Sequence, residues 1–242
     1  MEIIFEDEFL LVVDKPAGMV VNRAESVGSE TVQDWMDKRF KISDLPAGRQ
    51  GLGFRNSEDW SVFVKRSGIA HRLDKETSGC LVVAKTPVVL KELMRQFKDR
   101  EVEKQYVALV HGKLEPLSGS IRLPIARSQK NRKQRMVYFE GKTAESRWTV
   151  DRYINGGEFS LVSIWPKTGR THQIRVHMKF LGHTIVGDKL YASENEKKRD
   201  ELVANRHLLH AKGISFTHPV TKEILRVESE LADDFKAVIE RE

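Results

Sequence analysis

The chain has 242 residues, 40% of them hydrophobic and 31% charged, with a formal net charge of +6 and a pI near 9.3. This balance suits a globular chain with a substantial core and excludes a disorder-biased polyelectrolyte. No apolar run approaches the roughly 20 residues that cross a bilayer, the acidic start Met1–Glu8 lacks the pattern of a cleavable signal, and one cysteine, Cys80, excludes an internal disulfide. The reading is therefore a cytoplasmic protein in a reducing setting, with no membrane partner. The cationic surplus favours a polyanionic partner, because clustered Lys and Arg gain affinity by releasing counterions from phosphates.

Residues 3–5 and 9–13 read as two short strands, and Asp14-Lys15-Pro16-Ala17-Gly18 as a turn into a third, Met19-Val20-Val21. Thr31 is placed to cap a helix through Phe40, with Val32, Trp35, Met36 and Phe40 on one face. Residues 43–60, rich in Gly, Pro and polar side chains without a period, read as a long flexible loop. The stretch His71-Arg72-Leu73-Asp74-Lys75-Glu76-Thr77-Ser78-Gly79 then runs into Cys80–Ala84, an interior-strand pattern bounded by Gly79 and Thr86-Pro87. The loop so placed sits at the mouth of a sheet, with Asp74 as its candidate anionic nucleophile or base. Taken alone it reads equally well as a capped turn.

Pro87 suits the first turn of a helix carrying Leu90, Leu93, Met94 and Phe97 and ending near Asp99. Residues 104–110 read as a strand, and 119–126 as another, broken at Pro124. Arg127, Lys130, Arg132, Lys133 and Arg135 place five cations in nine residues with no acid among them, either a solvated hairpin tip or, with Tyr138 and Phe139 just beyond, a loop facing nucleic acid. Residues 144–154 and 159–165 form a hairpin pattern around Asn155-Gly156-Gly157. A helix over 170–181 would carry Ile174, Met178 and Leu181 on a core face and His172, Arg175 and Lys179 on a basic one, with Arg170 at its start. Residues 184–188 read as a short strand and turn, 193–204 as a surface helix, 207–216 and 223–227 as closing strands, and 231–239 as a terminal helix. Strands linked largely by hairpins argue for an α+β fold, a mostly antiparallel mixed sheet flanked by helices and loops, as a single domain over 1–242.

Several chemistries find no support in the residues. His172 and His177 are five apart, without the spacing or intervening Glu of a zinc-protease helix, and His207 and His210 point to opposite faces of a strand. No Gly-rich phosphate turn and no Gly–x–Ser–x–Gly occurs. Neither metal nor cofactor is expected. A lone Asp74 does not match the paired carboxylates of ordinary glycosidases. A carboxylate kept ionised by a neighbouring Arg still suits attack on, or stabilisation of, a sugar carbon as a glycosidic bond breaks.

Four stretches in order carry a resemblance. His71–Gly79 resembles the signature loop of RluA-type pseudouridine synthases, Asp14–Gly18 their lysine–proline–glycine motif, and Lys104-Gln105-Tyr106-Val107-Ala108 their tyrosine motif. Residues 167–177 resemble their basic helix, followed by the similar run 185–191, so that the likeness covers about residues 2 to 230. The resemblance implies a pseudouridine synthase catalytic domain with a central RNA-binding cleft, acting on ribosomal or transfer RNA; a domain of this size is by default a monomer, and no protein partner is evident. In a departure from larger relatives, the catalytic-domain pattern begins at once, so no small S4-like RNA-binding domain is expected in front and affinity is expected from residues 127–135 and the basic face of helix 170–181. Asp74 matches the catalytic aspartate that enables uracil to leave C1′ and rejoin through C5, and Arg175 the basic residue paired with it. Tyr106 matches the aromatic residue that stacks on the target base, Arg72 an arginine that holds the nucleotide flipped out, and Ile185 an aliphatic wall of the base pocket, with His71 beside Arg72 in the loop. Two rival readings belong to other classes: a non-catalytic RNA-binding or ribosome-assembly factor on the same fold, and a base-removing hydrolase that would release free uracil.

Overall fold

The computed structural model describes residues 1–25, 28–40 and 58–240. In chain order the elements are β1 (Glu2–Glu6), β2 (Leu10–Lys15), α1 (Val32–Phe40), α2 (Glu58–Arg66), β3 (Ser78–Ala84), α3 (Pro87–Asp99), β4 (Glu103–His111), β5 (Ser118–Arg122), β6 (Ile125–Arg127), β7 (Arg135–Val137), β8 (Glu145–Ile154) and β9 (Phe159–Pro166). They continue with α4 (Gln173–Phe180), α5 (Glu194–Asp200), β10 (Leu209–Thr217), β11 (Ile224–Glu228) and α6 (Asp233–Ile239). The fold is α+β with mostly antiparallel pairing, as the hairpin pattern predicts. The residues fall into two compact units, one comprising Met1–Val102 and Ile214–Ser229, the other Glu103–Gly213 and the residues from Glu230 on.

In the first unit β1, β2 and β3 pair antiparallel, with Leu10 opposite Ala84 and Lys15 opposite Gly79. Leu10–Val13 and Leu81–Ala84 are wholly buried, which is why both strands read as continuous apolar runs rather than alternating ones. Helix α3 begins as expected: Pro87 occupies the first turn and the Thr86 hydroxyl accepts the Val89 N–H. Helix α1 is closed by a reciprocal cap, the Thr31 hydroxyl accepting the Asp34 N–H at 3.1 Å and the Asp34 carboxylate accepting the Thr31 N–H at 2.8 Å. The strand expected at 19–21 does not form. The carbonyls of Val20 and Val21 accept the N–H groups of Val32 and Gln33, serving the orphaned first-turn amides of α1 instead of a sheet ladder. Of the loop expected at 43–60, residues 43–57 lie outside the described residues, and 58–60 open α2, which the sequence pattern does not reveal because Phe63 is its one buried side chain.

Lys15 ends β2 with no exposed surface. Its ammonium donates to the carbonyls of Pro16 (2.7 Å), Met19 (2.9 Å) and Lys75 (3.0 Å), and the Gly18 N–H donates to the same Lys75 oxygen at 2.9 Å. The Asp14–Gly18 turn is thereby strapped to the loop that precedes β3.

In the second unit β4, β9, β8 and β5 form an antiparallel sheet in that order. Side chains alternate between two apolar layers. Ala108, Val110, Trp148, Val162 and Ile164 meet Ile174 and Met178 of α4, while Val107, Leu109, Ile154 and Leu161 meet Phe235, Val238 and Ile239 of α6. The helix expected over 170–181 is shorter. His172 sits at φ 57°, and the Gln173 side chain accepts from the Thr168 hydroxyl and the Arg170 N–H, so the chain turns sharply before it can coil. Residues 184–188 make only an isolated bridge, Ile185 to Val110, before Gly187 turns the chain at φ 78°.

Replacing Lys15 by Met keeps the apolar stem, removes the ammonium from the Pro16 and Met19 carbonyls and leaves Lys75 O with the Gly18 N–H alone. Lys15→Met should lower the unfolding free energy by about 3 kcal/mol, read as a reduced urea midpoint at an unchanged slope.

Candidate functional site

The loop carrying Asp74 is the tip of a hairpin whose return arm is β3. The Ala84 N–H donates to Gly68 O at 2.8 Å, the Ala70 N–H donates to Val82 O at 3.1 Å, and Ile69 bridges Val83. Gly68 is required here: at φ +73° an added Cβ would lie 2.2 Å from the Ala84 carbonyl oxygen. The His71 ring completes this edge, its Nε2 accepting the Val82 N–H at 3.1 Å, which places the ring proton on Nδ1. The same ring stacks on Phe97 of α3 at 4.6 Å. Beyond it Leu73 is buried, and the Thr77 N–H closes a turn on the Asp74 carbonyl at 3.1 Å. Asp74 thus sits between a side chain sunk in the core and a residue, Lys75, whose carbonyl is held by Lys15. Arg72 is exposed and Asp74 half-exposed, both on the outer side of this pinned loop.

The second unit holds the other candidates. Tyr106 is half-buried on β4 opposite Ile164 and packs against the apolar layer that contains the buried Ile185. Arg175 is 6% exposed, against the expectation of a solvent-facing basic stripe. The reason is a buried carboxylate: Nε donates to Asp188 Oδ2 at 2.7 Å and Nη2 to Oδ1 at 2.8 Å, a bidentate pair. Asp188 Oδ1 also accepts the N–H groups of Leu190 (3.0 Å) and Tyr191 (3.1 Å). Burial works to raise the Asp188 carboxyl, and the Arg175 hydrogen bonds and charge overcome it, holding the group below the ordinary carboxylate range.

Tyr191 lies at the centre of the remaining basic residues. Its ring sits 5.0 Å from the Arg175 guanidinium and 5.6 Å from Lys179 Nζ, and its hydroxyl lies 2.8 Å from His172 Nδ1. His172 precedes the helix instead of lying on its face. Arg170 folds back, its Nε donating to Thr143 O at 3.1 Å. The cluster 127–135 is a hairpin: Arg127 pairs with Arg135 across β6 and β7, and Asn131 shapes the tip by accepting the N–H groups of Lys133 and Gln134. Arg127, Lys130, Arg132 and Lys133 are exposed and Arg135 half-buried. The structure therefore gathers Arg175, His172, Lys179 and Arg135 around Tyr191 in one unit, and Asp74, Arg72 and His71 on one loop of the other. Lys15, Asp188 and Tyr191 are placed by the quoted motifs, but composition and periodicity say nothing of what they hold.

A sequence family described as RNA pseudouridylate synthase matches residues 9–180. An uncharacterised RNA pseudouridine synthase of Aquifex aeolicus is 37% identical over 98% of this chain and 72% of its own length. The ribosomal large subunit pseudouridine synthase D of Zymomonas mobilis is 35% identical over 98% of this chain and 71% of its own. The solved structure of human RNA pseudouridylate synthase domain containing 1 is similar at a TM-score of 0.71 and 28% identity, over 95% of this chain and 82% of that one.

The Arg175–Asp188 pair carries a pH signature. A folded-state pKa below the unfolded one adds stability that is present above about pH 4 and is lost as the pH falls through the depressed value. Asp188→Asn should cost about 3 kcal/mol at neutral pH, because the arginine stays buried with a neutral partner. The same variant should flatten the acid limb of the stability curve measured by urea unfolding from pH 7 to 2.5.

Proposed function

We propose, on the premise that the chain belongs to the RNA pseudouridylate synthase family and is an isomerase of RNA uridines, that Asp74 detaches uracil from the ribose and allows its return through C5. The C1′–N1 bond breaks and a C1′–C5 bond forms, C5 losing its proton and N1 gaining one. No atom or electron is left over, so the reaction asks nothing of a cofactor or metal. Arg175 serves as the basic partner of this chemistry, Tyr106 as the aromatic platform for the target base, Ile185 as a wall of the base pocket, and Arg72 holds the nucleotide flipped out. Extruding a base costs a few kcal/mol of stacking, which base–aromatic contact and cationic attraction to the backbone offset.

What supports this reading most is the display of Asp74. It is a half-exposed carboxylate at the tip of a hairpin, anchored one residue before by buried Leu73 and one residue after by the Lys15–Lys75 contact. Such a group is held where substrate must come to it. The exposed cations of 127–135, with Lys179, Arg170 and His172, supply RNA contacts. The substrate is ribosomal or transfer RNA, and the name of the Zymomonas relative, a ribosomal large subunit pseudouridine synthase, supports the ribosomal choice. The whole of 1–242 acts as one catalytic domain and as a monomer in the cytoplasm; no helix among the described residues is long and apolar enough to cross a membrane.

Asp74→Asn should abolish pseudouridine formation while the protein still retains RNA on a filter. A wild-type rate from that variant would overturn the mechanism, and free uracil as the product would turn the assignment to a hydrolase. Mapping pseudouridine across total RNA with and without the protein names the substrate.

A further inference from the structure

The run Asp188–Tyr191 joins three parts of the second unit that the chemistry above treats separately. Tyr191 is 3% exposed, and its hydroxyl accepts the Arg135 N–H at 2.7 Å while meeting His172 Nδ1 at 2.8 Å. One residue earlier, Leu190 O accepts the Gln134 side-chain amide at 2.5 Å. Toward the helix, the backbone N–H groups of Leu190 and Tyr191 bond the carboxylate that grips Arg175. Ile125 of the hairpin packs in one small apolar cluster with Tyr191 and Val176 of α4, with Leu190 and Val137 against it.

The hairpin cannot hold itself in place. Its strands are three residues each, Arg127 faces Arg135 across them, and like charges directly opposite destabilise a two-stranded ribbon that is already marginal alone. Two backbone bonds between Ile125 and Lys142 hold its base, and the Leu190–Tyr191 pair anchors the arm that carries Gln134 and Arg135, polar on one side and apolar on the other.

We propose that Tyr191 is a positioning residue, a latch that sets the basic hairpin in register with Arg175, so that RNA held by the hairpin cations meets Arg175 at a fixed offset. This rests on the reading of the hairpin as an RNA contact and of Arg175 as a residue of the reaction.

The test is steady-state pseudouridine formation on RNA from cells lacking the protein. Wild type is compared with Tyr191→Phe, the hairpin pair Arg132→Ala with Lys133→Ala, all three changes together, and Gln134→Ala, which loosens the latch from the hairpin side. The melting temperature of each protein is recorded. Tyr191→Phe keeps the ring under Arg175 and removes both hydroxyl bonds. It should raise KM about tenfold, with kcat within about twofold, because the Arg135 N–H is left without its partner. The hairpin pair should raise KM similarly. The combined variant should be no worse than about twofold beyond either, because an unlatched hairpin has already lost the register its cations serve. Gln134→Ala should shift KM in the same direction. Fully multiplicative losses, or a folded Tyr191→Phe protein with unchanged KM, overturn the latch, as does a KM that returns to the wild-type value when assayed well below the melting temperature. A hairpin pair with wild-type KM overturns instead the RNA-contact reading beneath it, and the latch with it.

Discussion

A cation removed from water must be fully partnered, and each unit is built around one that is. In the first, the Lys15 ammonium has no exposed surface and finds three carbonyl oxygens, two in its own turn and one sixty residues on. These three partners are carbonyl dipoles, whose positions are fixed only if both turns keep their backbone shape. The requirement therefore runs in reverse, and the lysine dictates how the Asp74 loop folds. In the second, Arg175 meets the carboxylate of Asp188 through two parallel hydrogen bonds, and Asp188 is completed by two amides of the turn that follows it. A planar fork suits that geometry in a way an ammonium cannot.

Charge on the surface obeys the opposite logic. Arg127, Lys130, Arg132 and Lys133 of the hairpin are exposed, so each would attract a polyanion in a salt-dependent way without much direction. Direction comes from what holds their backbone. Asn131 sets the tip, and Gln134 and Arg135 are tied to Leu190 and Tyr191 through neutral hydrogen bonds. Attraction and orientation are thus assigned to different atoms of the same short hairpin.

Much of this was open to reading from the residues alone. The Thr86-Pro87 start of α3, the β8–β9 hairpin around Asn155-Gly156-Gly157 and the apolar run of β3 each follow from local rules, and the structure has all three. The failures share a cause. Met19-Val20-Val21 has the composition of a strand, yet its carbonyls serve the amides of a helix more than ten residues away. His172 fits a helical period, yet its positive φ ends the coil in front of Gln173. Periodicity measures which side chains share a face; it is blind to a distant backbone group that captures a donor or an acceptor first. For the same reason Arg175 reads as one of a basic stripe, since nothing within its own helix shows the carboxylate thirteen residues on.

The chemistry explains why such pinning matters more here than strong groups would. Isomerising a nucleoside in place neither consumes a second substrate nor leaves a charge to be neutralised at the end, so little of the barrier can be met by a cofactor's reactivity. What a protein can contribute is geometry held in advance: a carboxylate that does not wander, and a base held after it has left its stack. In the proposed mechanism a loop fixed at Leu73 and at Lys75, with one half-exposed acid between, meets the first need. Rigidity borrowed from a buried lysine stands in for reactivity.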